Sequence, residues 1–555
     1  MKELATANGL ARYRDQVLAL DPEKAQDAIL DHPQAADLVR LIPEQDFLVL
    51  VHEIGPEDAV PLLNLASPEQ WEYLVDMEAW RGGLVSLAET SRWLELLFSA
   101  DPARAVLWFV SEQTQLLELW LFNVVSIHLA DEHDDLSGLG EGAFTLDGTL
   151  YARVRDEAES MTRHRDLLPL VRGFLDEMAA QDFLKYQSCL LESAGLIAAE
   201  TQEEAFRLRN VRLAEKGFPP FEEAVGIYEY SKPGNIPRSR SKNPPASEAS
   251  RMATGLIPEA GPFSDALALV DSGAQTLRLQ AEFAALCNRL IVADRVAVHS
   301  RQDLAPVVEK ACGYVGMGLL ETAALTGESP QAILQGHLLT DLFRVGYGLV
   351  LKLKFDAANW RAKAWFTQKG LPLSFWGEQW LGVLGGILLQ KPKRYDAYKN
   401  GKLYGEFANK QEIIKAQETL ARIMAFDAFL SLLSIPQTWL SLPSLSYKNL
   451  VLTLWARELL KAPSQTAPLE IQQAQKFFRL LWEKGNKPRR VSLEAKKAFL
   501  DFLASASGQD HARILQSIGQ SLEELFLELE AEYGGISLKN LDARYLPHLC
   551  LNTNG

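Results

Sequence analysis

Prolines recur through the first hundred residues in settings that start helices, and they limit the length of every helix between them. Asp21-Pro22-Glu23, Gly55-Pro56-Glu57, Ser67-Pro68-Glu69-Gln70 and Asp101-Pro102 each put a small or polar residue at an N-cap position and proline at the first helical one. Proline fits there because its missing N–H would have no helical partner and its φ is already helical. The glutamates that follow oppose the positive end of the helix dipole. Ser67 with Gln70 reads as a capping box, and Ile42-Pro43-Glu44 as a related start without a good cap. Prolines 43, 56 and 68 leave room for helices of only about two to three turns.

Between these starts lie short apolar stripes: Leu38-Val39-Leu41, Phe47-Leu48-Val49-Val51, Val60-Leu62-Leu63-Leu65 and Trp71-Leu74-Val75. A short amphipathic helix cannot bury its apolar face alone, whereas a stack of them can, which is the logic of a helical superhelix. The spacing is irregular and fits no standard repeat length.

The expectation is therefore an all-α chain, with a superhelical, repeat-like N-terminal module and a helical C-terminal domain. One or two minor β-hairpins interrupt it. The better one lies near 144–153, where Asp147-Gly148 separates two β-prone runs; Tyr398 to Tyr404, around Asn400-Gly401, is the second. Leu116 to Ala130 reads as a core helix, and Ser329-Pro330 as the start of a long helix through Leu349. Ser521 with Glu524 reads as a helix cap. Six prolines among Ser, Asn and basic residues mark 231–263 as a linker, dividing the chain into residues 1–230 and 264–555.

Charge is unevenly distributed. The chain has 555 residues and a net charge of −16, but residues 1–200 carry 14 basic and 36 acidic side chains. Residues 351–500 carry 24 basic against 11 acidic. An acidic N-terminal region repels nucleic acid and anionic membrane. No CxxC pair occurs among Cys189, Cys287, Cys312 and Cys550, so a zinc ribbon is not expected, and widely spaced thiols suit a reducing compartment. Apolar runs such as Trp380 to Leu389 fall short of the roughly 20 residues a membrane span needs. A cytoplasmic protein without a membrane span is expected.

Two resemblances arise from these residues. The run containing Ile42-Pro43-Glu44-Gln45, Gly55-Pro56-Glu57-Asp58 and Ser67-Pro68-Glu69-Gln70 resembles the helical superhelix of MgtE-type magnesium transporters. That likeness covers about residues 20–120 and concerns the fold alone, since the transporter's membrane domain has no counterpart here. Gly217-Phe218-Pro219-Pro220-Phe221-Glu222-Glu223-Ala224, Leu342-Phe343-Arg344-Val345-Gly346-Tyr347, Lys391-Pro392-Lys393-Arg394-Tyr395 and Asp542-Ala543-Arg544-Tyr545-Leu546 are similar to segments of an uncharacterised bacterial family, a domain of unknown function. This second resemblance spans nearly the full chain and implies one shared architecture, with no activity attached.

Candidate chemistry is sparse. His128, Asp131 and Glu132, with His133, Asp134 and Asp135 beside them, offer imidazole and carboxylate ligands for a divalent metal, and His128 and Glu132 share a face if the helix continues. His337, Asp341 and Arg344 fall at i, i+4 and i+7, a spacing suited to an oriented base or, more simply, a polar network. The glycines at 313, 316 and 318 and at 138, 140 and 142 lack the strand-to-helix context of a phosphate loop. His52-Glu53 is followed by Ile54-Gly55-Pro56, which breaks the HExxH pattern of zinc proteases. Lys391, Lys393, Arg394, Lys399 and Lys402 interleave with Tyr395, Tyr398 and Tyr404, the makings of a nucleic-acid surface or of a solvated loop with tucked rings. Lys487, Arg489 and Arg490 form a smaller basic run.

The sequence reading is a non-enzymatic interaction or scaffold protein that recognises a protein partner through stacked helices, with no cofactor. The alternatives are a metal-dependent enzyme using the 128–135 cluster and nucleic-acid binding through 391–402, the latter not expected of so acidic a chain.

Overall fold

The computed structural model describes residues 2–130, 139, 142–162, 166–238, 250–270, 273–399, 401–435, 437–442, 444–462, 468–485 and 488–552. Among them helices dominate, with three small antiparallel sheets. The chain divides into two compact units, Met1–Arg344 and Val345–Gly555. The described parts of the proline-rich stretch, 231–238 and 250–263, lie within the bounds of the first unit. Ser250, near its end, is buried and donates to Asp46 Oδ1 at 2.7 Å.

In the first unit the proline starts behave largely as local chemistry dictates. Helices run Pro22–Leu30, Glu44–Ile54, Pro68–Glu78 and Pro102–Glu112, two to three turns each. Ser67 and Gln70 form a reciprocal capping box, and the Asp101 side chain accepts from Arg104 N. Gly55-Pro56 departs from the expectation. Gly55, at φ +106°, ends the preceding helix, and the next begins only at Val60. The stripes bury as expected, with Phe47, Leu50, Leu62, Trp71 and Leu74 fully enclosed.

The core helix expected over 116–130 is cut short. Thr114–Val124 is helical, but Val125–Leu129 is a strand, paired with Leu150–Val154 in the register His128 to Tyr151. Phe144–Thr145 adds a third strand on the other side of Leu150–Val154. Only Gly148 of the Asp147-Gly148 pair takes positive φ. The Asp147 carboxylate closes the loop instead, accepting from Thr149 N and Leu150 N at 2.8 and 2.7 Å. Two long helices, Gly273–Asp294 and Arg301–Thr326, complete the core of this unit, and Gly316 lets Pro262-Phe263 approach the second.

In the second unit, Arg394–Tyr395 pairs with Tyr404–Gly405, the hairpin expected around Asn400-Gly401. It lies on the glycine face of helix Gly377–Leu388, where Tyr395 occupies the space a side chain at Gly382 would need and Tyr404 that of Gly385. Ser521 does not cap a helix, because His511–Tyr533 is continuous through it and is capped by Asp510. Among the described residues no helix is long and apolar enough to cross a membrane.

Candidate metal centre

Helix Glu44–Ile54 packs its apolar stripe inward and leaves His52 in its last turn. Helix Pro68–Glu78 is fixed by Trp71, Leu74 and Val75 and ends on Glu78. A carboxylate there faces the negative end of its own helix and needs compensation from outside. His299 supplies part of it from just before helix Arg301–Thr326. Its backbone is pinned there, since Asp303 Oδ2 accepts from His299 N at 3.2 Å and from Ser300 Oγ at 2.8 Å.

The three side chains converge. His299 Nε2 lies 3.0 Å and His52 Nε2 3.3 Å from the same oxygen, Glu78 Oε1. The imidazoles stack, with centroids 4.2 Å apart, and the edge of Trp93 closes one side of His52. All three ligand atoms fall within 4.8 Å of one another, the only such group of His, Cys, Asp and Glu among the described residues. Glu78 is 5% exposed and His52 10%, whereas His299 is 41% exposed, so the centre is walled on one side and open on the other. Burial pushes the Glu78 carboxyl up, but the hydrogen bond to His299 and the close approach of His52 outweigh it and hold it at about 2. The bond to Glu78 raises the His299 imidazole above its ordinary value, against the effect of burial. Although His52 Nε2 is close to the carboxylate, it is buried without a well-directed hydrogen bond. A buried polar atom in that state calls for a partner. Next to it, Glu53 ties the helix to the His299 segment by accepting from Arg301 N at 2.8 Å.

The open side meets a cleft of about 500 Å³ whose lining includes Glu78, Arg81, Phe206, Arg209, Phe221, Arg295 and His299. Arg81 Nη2 is 3.4 Å from Glu89. Arg209 Nε donates to Asp76 O, and Asp76 itself is held bidentately by Arg212 at 2.6 and 2.8 Å. Phe218, Pro219 and Pro220 also line the cleft, so the Gly217–Ala224 segment noted in the sequence forms part of its wall.

The residues singled out from sequence lie elsewhere. His128 is an exposed residue of the strand Val125–Leu129 and not helical, as the i, i+4 pairing with Glu132 required; Asp131 and Glu132 lie outside the described residues. His337 does not share a helix with Asp341 and Arg344: it ends helix Pro330–Gly336, and Leu339–Lys363 follows. Its Nδ1 contacts Pro237 O at 3.0 Å, and Arg344 Nε donates to Gly226 O, which makes the trio a set of interelement ties. In the basic stretch, Arg394 pairs with Asp396 and Glu412, and Lys393 lies 3.9 Å from Glu406. Lys487 lies outside the described residues, whereas Arg489 Nη1 donates to Ile536 O. His52, Glu78 and His299 escape sequence reasoning because they lie far apart in the chain. One signal was present: Glu78 is a carboxylate at the acid-disfavouring end of a well-capped helix.

Fold and site together define a predominantly helical protein with a two-histidine, one-carboxylate centre opening on an arginine-bearing cleft. A family model matches residues 2–552, and the chain belongs to that family, the family of unknown function DUF6178. Searches of curated proteins and of solved structures each gave no match.

Proposed function

We propose that the protein is a divalent-metal-dependent enzyme whose ion is held by His52 Nε2, His299 Nε2 and a Glu78 oxygen. The observation that carries this reading is the convergence of both imidazole nitrogens on one buried carboxylate oxygen. Two imidazoles and one carboxylate suit zinc or ferrous iron better than magnesium or calcium. Three protein ligands leave coordination positions for water or substrate, and the exposed edge at His299 lets them face the cleft. The ion would act as a Lewis acid on a molecule bound there. Four free thiols suit the cytoplasm, where we place this activity.

Metal content is the test. Wild-type protein loaded with Zn²⁺ or Fe²⁺ should hold one ion per chain. His52→Ala and Glu78→Gln should weaken binding beyond the roughly 10–100-fold that loss of an outer-shell partner costs. Equal uptake by wild type and His52→Ala would reduce the trio to an ion-pair tether between helices. The interaction-protein reading is supported by Leu184 and Leu191, exposed two helical turns apart on Phe183–Ala194. A stoichiometric protein partner co-purifying with a metal-free wild type would favour it.

A further inference from the structure

Arg295 stands out in the cleft wall. It follows helix Gly273–Asp294 in a Schellman ending, with Val296 N donating to Ile291 O at 3.0 Å and Arg295 N to Val292 O at 3.1 Å. The residue at that position takes a left-handed backbone, and Arg295 does so at φ +53°. Glycine is the favoured occupant there, so the arginine is held against local preference, a pattern that collects at functional sites. Its guanidinium lies 4.3 Å over the ring of Phe221, and no carboxylate pairs with it among the described residues. It is exposed and lines the same cleft as Glu78 and His299.

We propose that Arg295 is the anion-recognition residue of this cleft, which takes a small molecule carrying a carboxylate or phosphate on a flat apolar body. The guanidinium is planar and prealigned by Phe221, so it can form two parallel hydrogen bonds to such an anion with little further ordering. Arg81, also in the lining, is already paired with Glu89 and Glu78, which leaves the anion to Arg295, and Phe206, Phe221 and Leu213 supply apolar walls for the rest of the ligand. The inference rests on the metal reading only in placing the far end of the ligand toward His299.

The test is calorimetric titration of the full chain, metal-loaded and metal-free, with benzoate and phenyl phosphate as probes and benzyl alcohol as the uncharged match. At least one anion should bind and benzyl alcohol should not; whichever anion binds more tightly identifies the head group. Arg295→Gly should weaken that binding about tenfold or more, the loss of a charge-assisted hydrogen bond, while its melting temperature does not fall. Arg295→Lys should recover part of the affinity. Equal binding by wild type and Arg295→Gly, or no preference for anion over alcohol, overturns the proposal. The two readings fail separately: undiminished metal uptake by His52→Ala removes the metal centre but leaves Arg295-dependent anion binding standing.

Discussion

Holding φ at +53° costs a residue other than glycine roughly 1–2 kcal/mol, so Arg295→Gly should gain about 1 kcal/mol in stability, readable as a higher melting temperature. The opposite case is Gly386. A side chain there would overlap Lys393 O and press on the Tyr404 ring, because the hairpin lies directly on this face of its helix. Gly386→Ala should lower stability by roughly 1–3 kcal/mol through overpacking. At Gly336 nothing stands within reach of an added Cβ, so Gly336→Ala should lose nothing when both glycine variants are unfolded in urea beside the wild type.

Among elements, the end of helix Pro68–Glu78 concentrates the electrostatic demand. Asp76 and Glu78 both sit where the helix dipole is negative, and both are buried. Glu78 is answered by two histidines and Asp76 by Arg212, from helix Ala198–Glu215. Removing Asp76 takes away the bidentate partner of Arg212 and leaves it the longer pair with Glu72, at 3.7 Å. Asp76→Ala should therefore cost about 3–5 kcal/mol, measured by urea unfolding. Because the same helix positions Glu78, the variant should also weaken metal binding.

Much of the element pattern was legible because its causes are local. A serine with a glutamine three residues on caps a helix wherever it occurs, as at Ser67 and Gln70, and the stripe Leu279, Phe283, Leu286, Leu290 has helical spacing that the fold buries. The errors share a different cause. Val125–Leu129 has helical patterning but is drawn into a strand by its pairing with Leu150–Val154, and Gly55 yields to the helix before it. In each, a tertiary or neighbouring constraint outweighed local preference.

At the scale of the whole molecule, the charge asymmetry follows the compact units: residues 1–344 carry 29 basic and 53 acidic side chains, residues 345–555 carry 27 and 19. Within the second unit a half-buried chain of polar groups joins distant segments. Tyr533 Oη is 2.8 Å from His548 Nδ1, His548 Nε2 is 3.0 Å from Glu528, and Glu528 also accepts from Lys448. Burial raises the Glu528 carboxyl, but the bonds from His548 and Lys448 prevail and hold it at about 2, against an ordinary 4.5. A depressed carboxyl stabilises fully above its unfolded value, and that contribution is lost as pH falls through the folded one. Stability of the second unit should therefore decline between pH 4.5 and about 2, and Glu528→Gln should flatten that decline in acid titrations followed by tryptophan fluorescence.

The sequence by itself determined the helical class, the helix starts at Pro22, Pro43, Pro68 and Pro102, the buried stripes and the Asp147 and Asn400 hairpins, because caps, prolines and periodicity act over a few residues. Only the tertiary structure decided where the compact units divide and which polar groups meet. His52, Glu78 and His299 are brought together by the packing of three helices, and spacing along a chain carries no record of a contact made across 221 residues.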